Sequence, residues 1–393
     1  MNGPRIGLLW PQAGSLWTAG TLYFENLLWS LQAAGLTDRV VVIEPVDGSY
    51  QMAGQPLPRA QTAIFKRVDP TGRAARALGL ARRELGFADP AAATAARSAG
   101  VQVVFGDVDA RTRFPLPWVG WIPDFQHTRR PDFFSAEDLA YRDRLYGRLA
   151  ANAARVVVSS QDALSDFSRF SPAHAGKGRV LPFVSVLGDA VFEAKPEPVA
   201  ARYHIDSPFV VVPNQWWRHK NHETAIRAAS VLAGQGVDLT WVFTGALVDY
   251  RDASHVSRLL QLVSELGVRE RVVVLGMLPR GDQLQLMRAA AAIVQPSLFE
   301  GWSTVLEDAR SLGQRLVASD IPVHREQDVP GAFYFDPESP EALAEQVVLS
   351  LGAPRSHDAE AQARLTMVRR AKEFGERFYE VCTEAAGGSV GAA

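Results

Sequence analysis

With 393 residues, 47% of them hydrophobic and 21% charged, the chain holds more sequence than one hydrophobic core usually absorbs, so two globular domains are expected. A formal charge of −2 leaves no global attraction for nucleic acid or for an anionic membrane. The single cysteine, Cys382, excludes an intramolecular disulfide, and no apolar run is long enough for a membrane span or a secretory leader. A soluble cytoplasmic protein is expected, with at most peripheral membrane contact.

In chain order, short apolar runs alternate with helical segments. RIGLLW, RVVVIEP, TAIFKRV, VQVVFGD, WVGWIPD, ARVVVSS and RVLPFVS fill the first half, separated by stretches such as TLYFENLLWSLQAAG and SQDALSDFSRF. Most of the runs are solidly apolar rather than alternating, as expected of parallel strands buried on both faces. The second half repeats the grammar with FVVVPN, LTWVFTG, RVVVLG, AAAIVQPS, QRLVASDIP and AFYFDP. This alternation predicts an α/β protein with parallel sheets.

EAKPEPVAARYHIDSP, with three prolines, reads as the linker, placing a hinge near 190–207. Domains are therefore expected at 1–190 and 205–362, with a helix at about 365–385 crossing back to the first. The tail GGSVGAA reads as disordered, and TGRAARALGLARRELG as an amphipathic basic surface helix.

In open parallel sheets ligands bind beyond the carboxyl ends of strands, and four stretches fall there. WPQAGSLWTAGTLYFENLL carries Gly14 and Gly20 without GxGxxG spacing, so the dinucleotide fingerprint is absent. In WIPDFQHTRRPDFF, His127 sits in a polar post-strand loop beside Asp124 and Gln126. In VVPNQWWRHKNHETAI, Arg218, His219, Lys220 and His222 crowd a helix start whose N-cap reads as Asn221. Cations there oppose the helix macrodipole unless an anion joins them, and a phosphate would resolve that conflict. His219 and His222 lack a Cys or acidic partner at ligand spacing, so no metal site is expected.

The fourth stretch, QPSLFEGWSTVLEDARSLG, places Glu300 and Glu307 around Gly301, Trp302, Ser303 and Thr304. Two readings stand side by side. Either Ser303 or Thr304 caps a helix and Glu307 reaches back as a capping box, or the acids and the free amides after Gly301 grip a ligand's diphosphate.

Together these stretches resemble the family 4 retaining glycosyltransferases of the GT-B fold. The resemblance is dense from about 208 to 350, through PNQWWRHKNHETAI, RVVVLGMLPRGDQLQLMRAAAAIVQPSLFEGWSTVLEDARSLGQRLVASDIP and DPESPEALAEQV. It implies two Rossmann-like domains with parallel sheets facing a central cleft. It also implies a nucleotide-diphosphate sugar (UDP-, GDP- or dTDP-linked) as co-substrate, no permanent cofactor and no metal. The acceptor would be a glycan, lipid-linked glycan or small molecule.

Glu300 would stand beside the glycosidic carbon, Glu307 would hold the ribose, and Ser303 and Thr304 would face sugar and diphosphate. Lys220 with Arg218 would balance the leaving group, and His127 would orient the sugar. Gly14 would lie at the diphosphate or acceptor, and Met277 and Leu278 at the base. The chain departs from the family pattern twice. Six residues rather than seven separate the two acids, and Gln215 stands where the family's usual arginine falls, which Arg218 would replace. Other readings of the same cleft are a sugar-nucleotide epimerase, a phosphorylase or a non-catalytic sugar-binding protein.

Overall fold

The computed structural model describes residues 3–9, 18–45, 60–65, 90–106, 114–205, 208–354, 356 and 358–387. The chain divides into two compact units, one of residues 1–184 and 369–393, the other of residues 185–368. Gly14, the basic stretch 71–86 and the end of the tail from 388 lie outside the described residues.

The first unit is built on seven parallel strands in the order β3-β2-β1-β4-β5-β6-β7. They are β1 Ile6–Leu9, β2 Val40–Pro45, β3 Gln61–Phe65, β4 Val103–Gly106, β5 Trp118–Trp121, β6 Arg155–Val158 and β7 Gly178–Val180. Ile6 pairs with Val40 on one side and Val103 on the other, so β1 is an interior strand, and Ile6 and Leu8 are buried. Parallel neighbours need a crossover between them, and the helices Ala136–Asn152 and Gln161–Phe170 supply two. Each begins at a serine whose hydroxyl accepts from the helix, Ser135 from Asp138 and Ser160 from Ala163.

The second unit carries six parallel strands in the order β10-β9-β8-β11-β12-β13. These are β8 Phe209–Pro213, β9 Thr240–Thr244, β10 Val272–Gly276, β11 Ala292–Gln295, β12 Leu316–Ser319 and β13 Phe333–Phe335. Along β8, Val210 and Val212 pack with Trp241, Phe243 and Val294, while Phe209 and Val211 pack with Val242 and Ile293 on the opposite face. That is why the run shows no polar alternation: a strand covered on both sides hides every residue. The strand order reverses between β8 and β11, and such a switch point opens a crevice at the strands' carboxyl ends.

The expected linker is not a free connector. A short helix, Asp189–Glu193, precedes it, Pro196 and Pro198 open a second, Glu197–Arg202, and Leu187, Val191, Val199 and Ile205 are buried in the second unit's core. Gln285 donates to Val191 O at 2.8 Å, and Tyr203 Oη to Asp282 at 2.7 Å. The chain passes from one unit to the other at 184/185 and returns at 368/369, inside the long helix Ala359–Ala385. In the first unit that helix lies so close to the helix Thr18–Ala33 that a Cβ on Gly375 would stand 2.3 Å from Ser30 O, so only glycine fits.

Candidate active site

Both loops that leave the switch point are held by backbone and side-chain bonds. After β8 the chain runs through Asn214 and Gln215 into a tight turn, Arg218–Lys220, and then the helix His222–Gly234. After β11 it runs through Ser297 and Glu300 into the helix Thr304–Leu312. Leu298 N donates to His219 O at 2.8 Å, which stitches the two loops together.

Asn221 stands at the expected N-cap position but does not cap with its side chain. Its φ of 55° is left-handed, a conformation asparagine tolerates better than most residues. Its carboxamide donates instead to Pro296 O at 3.1 Å and Pro337 O at 2.8 Å, fastening the turn to the ends of β11 and β13. Lys220 is thereby aimed across the switch point.

Lys220 Nζ meets Glu300 Oε1 at 2.6 Å, with 14% and 8% of the two side chains exposed. Two neutral donors share that oxygen: Gln295 Nε2 at 2.8 Å and Ser297 Oγ at 2.7 Å. The lysine's charge is thus met by a carboxylate, which removes the conflict of a cation before a helix start. Arg218 is exposed, and its amide donates to Asp249 Oδ2 at 2.8 Å. Gln215, at the position of the resembled family's arginine, is committed elsewhere: its carbonyl accepts from Ala246 N at 3.0 Å and its amide faces Met277 Sδ at 3.8 Å.

Ser303 is the N-cap of the helix Thr304–Leu312, its hydroxyl accepting from Leu306 N at 3.4 Å. That sets Glu307 one position too far along for a capping box, which needs the acid at the third helical residue. The capping-box reading is therefore corrected. Gln327 from the helix Pro322–Gln327 does the reciprocal work, accepting from Ser303 N at 2.9 Å and donating to Ser303 O at 3.0 Å and Glu307 Oε1 at 3.1 Å. Glu307 is fully buried, with Arg310 Nε 3.7 Å from Oε2. Among the described residues no acceptor faces the amides of Thr304 and Val305, so the helix presents two unsatisfied donors and the positive end of its dipole. Trp302 is buried and Gly301 half-buried at the turn.

The same helix is anchored at its side. Arg280 grips Asp308 with Nη1 on Oδ2 at 2.7 Å and Nη2 on Oδ1 at 2.5 Å, and Ser185 Oγ adds a third donor at 2.5 Å. Ser311 Oγ donates back to Ser185 O at 2.7 Å. Beyond β10, Met277 is 55% exposed while Leu278 packs on the core.

In the first unit, the polar-loop setting expected for His127 is corrected. It lies on the short helix Gln126–Arg129, 2% exposed, with Phe125, Tyr146 and Phe170 around its ring. Nε2 stands 3.3 Å from the exposed Asp143, outside hydrogen-bonding geometry, and burial holds the imidazole below its ordinary range. Of its polar neighbours in sequence Gln126 is itself buried and Asp124 half-buried, while the aromatic residues that enclose the ring come mostly from distant helices. Among the described residues no group of three or more His, Cys, Asp or Glu could hold a metal ion.

Four polar residues at the site escaped the sequence reading: Asn214, Gln295, Ser297 and Gln327. A glutamine closing the wholly apolar run AAAIV was the available signal, since a buried amide must be hydrogen-bonded. Its partners are set by tertiary structure.

The family model described as glycosyl transferases group 1 matches residues 202–366, most of the second unit. No curated protein matches the chain. Among solved structures, HepE of Anabaena in complex with UDP and glucose is similar at a TM-score of 0.69 and 17% identity, over 96% of this chain and 98% of that one. Sucrose-phosphate synthase of Thermosynechococcus elongatus gives 0.64 and 18%, over 97% of each chain. An α,α-trehalose-phosphate synthase of Burkholderia xenovorans, in complex with glucose-6-phosphate, gives 0.64 and 12%, over 96% and 99%. At these identities the likeness is one of fold, and the fold is GT-B.

Proposed function

We propose, taking as premise that residues 202–366 belong to the group 1 glycosyl transferases, that this chain moves a sugar from a nucleoside diphosphate sugar to an acceptor hydroxyl. The reaction retains the anomeric configuration and uses no metal ion. One observation carries the reading: Lys220 and Glu300, 2.6 Å apart at the switch point, beside the open amides of Thr304 and Val305.

That arrangement suits a departing diphosphate. Its oxygens would accept from the two amides, and Lys220 would turn from Glu300 to the phosphate as charge develops there. Glu300, relieved of its cation, would lie against the positive charge that builds at the anomeric carbon. The diphosphate would take the acceptor's proton on the same face of the sugar, which gives retention. Glu307 is buried and tied to Gln327 and Arg310, and its role is to set the helix that carries the amides. Met277, exposed beyond β10, remains the base contact we assign.

UDP-glucose heads the list of donors because HepE has been solved with it, and GDP- and dTDP-sugars follow. Among acceptors, a sugar phosphate joins glycans, lipid-linked glycans and small alcohols, since a trehalose-phosphate synthase of this fold holds glucose-6-phosphate. Nucleotide sugars are made in the cytoplasm, which is where we place the protein. No described helix is long and apolar enough to cross a membrane.

The test is nucleotide release from UDP-glucose, GDP-mannose, dTDP-glucose and ADP-glucose, with and without acceptors and with a chelator present. Release from one donor, abolished by Glu300→Ala, with an axial-to-axial product by NMR, supports the assignment. Absence of release from every donor, together with no binding of any nucleoside diphosphate, sinks it.

A further inference from the structure

All three hydrogen bonds to Glu300 land on one atom. Lys220, Gln295 and Ser297 share Oε1, and among the described residues none donates to Oε2. We infer that Gln295, the buried glutamine that closes β11, is a positioning residue for sugar transfer: with Ser297 it fixes Oε1 of Glu300, so that Oε2 alone meets the donor sugar. The inference rests on the transferase reading above and adds to it the part of the site that orients its carboxylate.

Gln295 is 0% exposed, and each polar atom of its side chain is committed. Its carbonyl accepts from Asn214 Nδ2 at 2.9 Å, and its amide donates to Ser297 Oγ at 2.9 Å and to Glu300 Oε1 at 2.8 Å. Flipping the carboxamide would set amide against amide at Asn214 and carbonyl against carboxylate at Glu300. One orientation is therefore fixed, and with it the proton of Ser297, whose hydroxyl accepts from Gln295 and so donates to Glu300. Ser297 is fastened in turn, its carbonyl accepting from Ser319 Oγ at 2.5 Å.

The chemical type of these donors matters. Lys220 both holds Glu300 and cancels its charge, and it is needed elsewhere once a diphosphate arrives. Gln295 and Ser297 hold the carboxylate without neutralising it. When the lysine leaves, the acid keeps its place and regains its full field at the reacting carbon. A cation in place of Gln295 would fix Glu300 equally well and annul its electrostatic use.

The experiment compares wild type with Gln295→Met, which keeps the shape and removes the donors, with Ser297→Ala and with the double variant. UDP affinity by calorimetry, kcat and KM for UDP-glucose or whichever donor of the four-member panel is turned over, and Tm are read for each. The expected result is a kcat lowered about tenfold or more in each single variant, with KM and UDP affinity within about threefold. The double variant is expected to lose much less than the product of the two, because both grip one oxygen. A purely structural role would lower Tm without a selective loss of kcat or coupling between the two sites. Unchanged kcat in a folded Gln295→Met protein, or kcat and UDP affinity falling together, overturns the inference while leaving the transferase reading intact. If Gln295→Met does not fold, Ser297→Ala alone decides on the same kcat criterion. A wild type that turns over no donor overturns this inference, and one that also binds no nucleoside diphosphate sinks the transferase reading with it.

Discussion

Gln327 pairs with Ser303 as one peptide group pairs with another, accepting from its N–H at 2.9 Å and donating to its carbonyl at 3.0 Å. A side chain from one helix thus completes the cap of the helix before it, and the same amide reaches Glu307 at 3.1 Å. Gln327→Ala would leave two buried backbone groups without partners, at a cost of about 1–3 kcal/mol. The expected outcome is a lower urea midpoint with an unchanged m-value, and weaker UDP binding as the amides of Thr304 and Val305 lose their fixed direction. Equal stability of the variant would show that Ser303 finds another partner.

Lys220 and Glu300 are expected to separate in their kinetics. Lys220→Ala removes a charged donor to the leaving group, so UDP affinity should fall by about ten- to a hundredfold. Glu300→Gln keeps the shape and the contacts to a neutral amide, so UDP affinity should hold while kcat drops about a hundredfold or more. Calorimetry with UDP and steady-state kinetics on the same preparations distinguish the two. A matching loss of affinity in both variants would place Glu300 at the nucleotide rather than at the sugar.

Asp308 tests how the amide-bearing helix is anchored. It is 1% exposed and takes its donors from Arg280 and Ser185. Asp308→Ala strands the guanidinium of Arg280, whose side chain is only 14% exposed, and breaking one side of such a pair costs about 3–5 kcal/mol. The paired change to a well-packed Asp308→Leu with Arg280→Met should recover much of that loss. Chemical denaturation of the three proteins measures it. Failure of the double variant to recover would assign the cost to lost backbone anchoring through Ser185.

Two histidines of the second unit predict acid sensitivity. Burial pushes His222 down to about 3 and His324 down to about 4, from an ordinary value near 6.5. As pH falls below about 6.5 the unfolded chain binds protons that the folded chain refuses, so stability is lost toward acid. Each group contributes a slope of up to about 1.4 kcal/mol per pH unit, ending near its folded value. His222→Phe, which keeps the stack on Trp216, should flatten the slope between pH 6 and pH 4 by about that amount. An unaltered slope in denaturation curves across this range would contradict it.

The strands were legible because parallel strands covered on both faces leave unbroken apolar runs such as FVVV and VVVI. The boundary between the units was harder to read. The prolines of 193–208 look like a flexible connector, yet Val191, Val199 and Ile205 carry them into the second unit's core. Glu300 and Lys220 each stood out in a post-strand loop, but their pairing was not legible, since 80 positions separate them and no local pattern links them. His127 misled for a physical reason: its polar sequence neighbours say nothing of Tyr146 and Phe170, which arrive from other helices. The capping box failed by one residue because Gln327, 24 positions away, takes over one half of it.

The crossing segment at 185–201 has a practical bearing on how the second unit is handled in isolation. It lies outside the stretch that matches the family model, yet Ser185 bonds Asp308, and Val191 O accepts from Gln285 and Arg288. A fragment trimmed to 202–366 would bare the apolar sides of Leu284 and Leu286, and would orphan buried donors at the back of the amide-bearing helix. The stretch that matches the family model and the compact unit are different lengths of chain. Expression boundaries set by sequence similarity are therefore expected to give a less stable domain than those set at 185 and 368.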